Sequence, residues 1–246
     1  MASTSETGHT KNIAHFEQLI SFCTGYGAAY NPTNAPIKIT AMKAKLTAAK
    51  AAMAQVPVTN IAYQNAVNAR FTAFAGLKTL ATRVVNALVV SGATTATIAD
   101  ARTLNRKIQG KRAKPAVPKM VEGTETPKDP VSASQQSFDK LIEHFFNLIE
   151  LLSQEPLYTP NETDLKLTAL QTFRDTLANL NSAVLTAYTP VSNDRIARDT
   201  ILYAEGTGMV DVAITAKNYI KAVFGSSGAQ YNQVKGLEFK NIKSGK

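Results

Sequence analysis

The chain has 246 residues, 44% of them hydrophobic, with no Trp, one Cys and a formal net charge of +9. A single cysteine excludes a disulfide within the chain and a thiolate metal cluster, and the aliphatic, alanine-rich composition favours helices over sheets. No basic start followed by an apolar run marks a secretory signal, and no stretch reaches roughly 18 uninterrupted apolar residues, so a cytoplasmic protein with no membrane span is expected.

Residues 1–11 read as a flexible tail. A short helix is predicted from about Asn12, with Ile13, Phe16, Leu19 and Ile20 on one face, ending at Gly25-Tyr26-Gly27. Tyr30 to Pro36 forms a loop. A second helix runs from about Ile37 to Ala54 and closes at Val56-Pro57, because proline lacks the N–H that a helix interior uses. The third, about Thr59 to Val90, carries an apolar seam of Val67, Phe71, Phe74, Leu77, Ala81, Val84 and Leu88. The fourth spans about Thr95 to Gln109, with a threonine cap at its start and Arg106 and Lys107 near its end, which suits the helix dipole.

Residues 111–133 then read as a proline- and lysine-rich linker. The following helix, about Ser134 to Gln154, is strongly apolar. Pro156 and Pro160 bracket a loop, the next helix breaks at Thr189-Pro190, another runs from about Asn193 to Phe224, and a short one covers about Ala229 to Lys235. Ala204, Gly206 and Gly208 give that penultimate helix a slim stretch that either permits close packing or weakens it. Residues 240–246 read as a flexible basic tail.

The chain repeats itself. Phe16-Glu17-Gln18-Leu19-Ile20 returns as Phe138-Asp139-Lys140-Leu141-Ile142, Lys38-Ile39-Thr40-Ala41-Met42 as Lys166-Leu167-Thr168-Ala169-Leu170, Tyr30 and Pro32 as Tyr158 and Pro160, and Gly110 as Gly236. Offsets that drift by a few residues are what two copies with loops of different length give. The predicted fold is therefore all-α: two tandem, diverged repeats over 12–110 and 134–239, each an antiparallel four-helix bundle in the order short, medium, long, short. Their charges differ. Residues 1–113 carry 13 Lys and Arg against 3 acidic residues, whereas residues 138–246 carry 11 against 12.

Chemistry is sparse. His9, His15 and His144 show no i, i+4 ligand spacing, so no metal site is expected. Asp139, Glu143 and His144 fall short of a di-iron carboxylate set. Cys23 lacks a base within reach and reads as a small buried hydrophobe, and Gly206-Thr207-Gly208 is not a phosphate loop, since it lies in a helical pattern. No catalytic residue and no cofactor is predicted. The recurring Tyr30 and Tyr158 read as rings tucked over a bundle end.

The candidate site is basic: Arg102, Arg106, Lys107, Lys111, Arg112, Lys114 and Lys119 lie within one 18-residue stretch, with Lys38, Lys43, Lys45, Lys50, Arg70, Lys78 and Arg83 elsewhere in the same repeat. Such a cluster attracts phosphates through charge and counterion release, but without interleaved aromatics it has no platform for stacking bases. Phe16 to Phe22, Tyr30-Asn31-Pro32, Arg106 to Arg112 and Ile196-Ala197-Arg198 together resemble a family of bacterial helical proteins with no assigned activity. That resemblance implies a bacterial origin and carries no functional residue onto this chain. The reading is a non-enzymatic structural or interaction module whose partner is an acidic protein or a second copy. Nucleic-acid or other polyanion binding through the basic cluster is the alternative.

Overall fold

A computed structural model describes residues 4–111 and 135–242 of the chain, and its regular elements there are all helical. They are α1 (Thr4–Gly25), α2 (Ile39–Ala75), α3 (Leu77–Val90), α4 (Thr95–Gln109), α5 (Phe138–Ser153), α6 (Leu167–Tyr203), α7 (Met209–Phe224) and α8 (Ala229–Val234), with single 3-10 turns at Gly27–Ala29, Ala35–Ile37 and Thr163–Leu165. The predicted linker, apart from Lys111, and the end of the basic tail lie outside the described residues.

Several boundaries agree with the expectation because the sequence carries their caps. Thr94 accepts from the Thr97 N–H at the start of α4, and Gly110 ends it with φ of 71°, the left-handed conformation that glycine adopts at least cost. Ser137 caps α5 in the same way, accepting from Lys140 N–H, so that helix begins at Phe138 and not at the expected Ser134.

Other boundaries are corrected. The chain from Thr4 is already helical where a flexible tail is expected, and His9 is 1% exposed. Neither Pro57 nor Pro190 stops its helix: α2 and α6 each run 37 residues straight through. A proline in a helix interior costs about 3 kcal/mol, and here the residue next to each, Val56 or Val191, is fully packed, so burial offsets the lost backbone bond. The expected long helix is instead split at Gly76, and the Asn193 to Phe224 helix is split between Tyr203 and Met209. At that second break Gly206 has φ of 71°, and a Cβ on Gly208 would lie 2.6 Å from the Ala204 backbone nitrogen, so the slim stretch is a turn that needs glycine.

Buried residues recur every seventh position on the two long helices: Met42, Ala49 and Val56 on α2, and Leu170, Leu177, Val184, Val191 and Arg198 on α6. This is a narrow bundle seam. The two long helices also match in length. α2 and α6 begin 128 residues apart and end 128 apart, and Tyr30 Oη donates to Ile37 O at 2.8 Å as Tyr158 Oη does to Leu165 O at 2.9 Å. On α1 and α5 the burial pattern aligns Phe16, Leu19, Ile20 and Cys23 with Phe145, Leu148, Ile149 and Leu152, which replaces the expected match of Phe16 to Phe138.

The compact units do not follow the sequence halves. One comprises Met1–Tyr63 and Ala187–Lys246, the other Gln64–Thr186. The first buries Phe16, Leu19, Ile20 and Met42 against Met209, Val212, Ala216 and Ile220, with Tyr30 edge-on to Tyr219 at 5.3 Å between centroids. The second buries Leu77, Val84, Leu88 and Ile108 against Phe145, Leu148, Ile149 and Leu152. Each is an independent core in which α-helices present one apolar stripe inward.

The sequence also carries one apolar window that the criterion of an uninterrupted run passes over. Within Ile39–Val90 lies an 18-residue window of mean hydropathy 1.4, long and apolar enough to cross a bilayer by composition alone, of which 33% is buried. Two charges are tolerated in such a window, and Leu77, Ala81, Val84, Val85 and Leu88 spend their apolar surface in the second unit's core.

The predicted seam of α2 and α3 is right except at its start. Phe74 is 8% exposed and stacks edge-on with Phe138, whereas Phe71 is 72% exposed. Phe74→Ala is expected to cost about 3–5 kcal/mol, and Phe71→Ala to stay within about 0.5 kcal/mol. Urea unfolding of the two variants checks the pair.

Candidate functional site

The basic residues fall into two units. Lys38, Lys43, Lys45 and Lys50 belong to the first unit, and Arg70, Lys78, Arg83, Arg102, Arg106, Lys107 and Lys111 to the second. Arg112, Lys114 and Lys119 lie outside the described residues. Several of the remainder are engaged. Lys50 pairs with Glu17 at 2.6 Å, and Arg83 holds Asp164 with both guanidinium ends, a hydrogen bond that, with the Arg83 charge behind it, pulls the Asp164 carboxyl below its usual range. Arg70 lies over the Phe138 ring, 3.9 Å from its centroid, and donates to Asn181 Oδ1 at 2.9 Å, while Asn181 in turn donates to Asp139. These are packing contacts.

The described members of the predicted cluster lie on α4 and just after it. Arg102, exposed, and Arg106, half-buried, share its side with Asn105 and Gln109, whose amides reach Thr82 and the Lys78 carbonyl of α3. Lys107 falls on the flank toward α5, where its charge bears on Glu143 and His144, and its carbonyl accepts from Gln136. Lys111 follows the helix, its N–H returning to Arg106 O at 3.0 Å. Helical spacing thus divides the predicted cluster, leaving one pair of arginines on one flank and one lysine on the other. Among the described residues no ion pair engages Arg102, Arg106, Lys107 or Lys111.

Two buried polar sites escape the sequence reading. In the first unit His9 and Asn12 both meet Tyr203 Oη, Asn12 donates to Lys240 O at 2.7 Å and accepts from Lys240 N at 3.1 Å, and buried Arg198 holds Asp199 at 2.8 Å. Lys240 is therefore anchored where a flexible tail is expected. The signal was present: His9, Asn12, Phe16, Leu19 and Cys23 continue one 3-4-3-4 seam. The adjoining cavity, lined by Gly8, Lys11, Asn12, Glu238, Lys240 and Ile242, holds about 50 Å³, room for water and too little for an organic substrate. A second depression of about 280 Å³ between α1 and α8 is lined by Ser21, Phe22, Gly25, Tyr26, Ala229, Gln230 and Gln233. Its one titratable group is Tyr26, whose pKa burial raises, so it holds no acid and base in a matched pair. Cys23 is fully buried nearby, and burial pushes its thiol up to about 11, far from a reactive thiolate.

In the second unit His144 is 4% exposed on the core face of α5, with neither ring nitrogen hydrogen-bonded. Burial, then the Lys107 charge, holds its pKa below the ordinary imidazole value; Glu143 acts in the opposite direction and Lys140 in the same one. Among the described residues no group of three His, Cys, Asp or Glu gathers to hold a metal ion. No known protein family, curated protein or solved structure matches the chain.

His144 makes the second unit sensitive to acid. Its folded pKa lies below the unfolded value of about 6.5, so the unfolded chain binds the extra proton first. Stability is full above about pH 6.5 and falls as pH drops from there through the folded value. His144→Leu is expected to flatten the dependence of stability on pH between about 5 and 7 relative to the parent, as read by chemical unfolding across that range.

Proposed function

We propose that the protein is a non-enzymatic interaction module, a diverged sequence repeat whose copies share two helical cores, presenting exposed aliphatic side chains among basic residues to a carboxylate-bearing protein surface. The repeat reading is supported by the equal lengths of α2 and α6 and by the two Tyr-to-carbonyl bonds that recur at the same spacing. The interaction reading is carried by one observation: in the first unit Val58 and Ile61 on α2 and Ile196 on α6 are each about 60% exposed. Large aliphatic side chains left in water on a helix invite cover by another surface.

Charge argues for an acidic one. Between Glu17 and Asp100 the chain has no Asp or Glu, and α2 carries Lys43 and Lys45 in the same unit, neither ion-paired among the described residues. A partner bearing carboxylates gains from that field in encounter rate and in specificity.

The double variant Val58→Asp, Ile61→Asp tests this. It is expected to weaken association by at least tenfold, in pull-down from a bacterial extract or in sedimentation of the pure protein, while its melting temperature moves by only a few degrees. Equal behaviour of parent and variant would overturn the reading.

A second reading rests on Arg102 and Arg106, side by side on α4 and free of ion pairs. Those two, with Lys107 and Lys111, would bind a polyanion chiefly through phosphate contacts. Titration with labelled duplex or single-stranded nucleic acid at about 50 and 200 mM salt separates the cases, since phosphate contacts lose affinity steeply over that range. Binding that collapses at the higher salt favours a polyanion, and no binding at the lower salt removes it.

A further inference from the structure

We infer that residues 4–111 and 135–242 are two halves of an interlocked pair, each carrying a docking surface whose partner is the other half. The observation is the composition of the two cores. In the first unit α1, the segment after it and the start of α2 supply Ile13, Phe16, Leu19, Ile20, Cys23, Tyr30, Ile37, Met42 and Ala49, and the later half supplies Leu202, Met209, Val212, Ala213, Ala216, Ile220, Val234 and Leu237. In the second the shares reverse: eight buried residues from Phe74 to Ile108, and nine from Leu141 to Leu177.

The contacts that cross between halves are specific as well as apolar. In the first unit Tyr26 donates to Gln230 O at 2.9 Å and packs edge-on to Phe224, His15 meets Glu238 O at 2.8 Å, and Asn12 makes its paired bonds with the Lys240 backbone. In the second, Arg70 sits over Phe138 and bonds Asn181, Arg83 holds Asp164, and Gln136 donates to Lys107 O. The opening helices of each half are thus closed by the final helices of the other. Exposed apolar seams would remain on either half alone, at both its beginning and its end.

Two tandem bundles and an interlocked pair give opposite outcomes when the connection is cut. A specific protease site inserted between Glu122 and Gly123 of the full chain, cleaved to completion, tests the inference. The two pieces are expected to elute in one peak at the volume of the uncut protein and to separate only in denaturant. Cleavage makes association bimolecular, so the cut protein should melt at a temperature that rises with its concentration, whereas the uncut chain's should not. Pieces that elute apart in native buffer, or either piece precipitating, would overturn it. Should the inserted site resist the protease, the two pieces made as separate chains and mixed are read by the same criteria. This inference stands independently of the proposed partner: loss of binding in the Val58, Ile61 variant leaves the elution of the cut protein unchanged.

Discussion

A helix with a single apolar seam is only half of a core, and everything in this protein follows from where each seam finds its complement. α1 and α5 are strongly apolar along one stripe, and α3 and α7 are apolar along another. Sequential neighbours could in principle close on each other, as short loops usually make them do. Several do, since α3 packs on α4, α4 on α5 and α7 on α8, whereas α1, with five helices intervening, closes against α7. The hydrophobic effect is non-directional; which stripe covers which is decided by the fold as a whole.

That division explains what was legible in the residues. Caps are local, so Thr94 and Gly110 mark the ends of α4 as read, whereas the expected start at Ser134 misses the cap at Ser137. Apolar periodicity is also local, which is why Phe74 through Leu88 read correctly as buried, as does the role of Tyr30 and Tyr158. Partner choice is not local: a seam states that it must be covered and says nothing about by what. The two prolines mislead for a related reason, since their cost is a property of the backbone while the burial that offsets it belongs to the tertiary structure. Of the predicted basic site, the spacing of Arg102, Arg106 and Lys107 already implies two flanks. Which neighbour each flank meets depends on α3 and α5, one from each half of the chain.

The buried histidines show how the same side chain acquires different physics. His9 finds a hydroxyl in Tyr203, 194 residues away in sequence, and becomes part of a polar clasp in the first unit. His144 has no such partner and rests in its core as a neutral ring facing a lysine charge. A polar group at a seam position is satisfied only if the opposing helix happens to offer a partner, and the opposing helix here comes from a distant part of the sequence. Lys217 is the favourable counterpart, its ammonium accepted by the Lys235 and Leu237 carbonyls just beyond α8.

The assignment of α7 to close the core begun by α1 also sets the order in which the protein can be made. Phe16 and Leu19 leave the ribosome early, and the residues that bury them, from Met209 onward, are translated some 190 positions later. At about 5–20 residues per second, that apolar face waits on the order of ten seconds or more for its complement. Loop closure over such a distance adds its own entropic delay. During synthesis, then, the apolar stripe of α1 stays in water until α7 has followed it out of the ribosome.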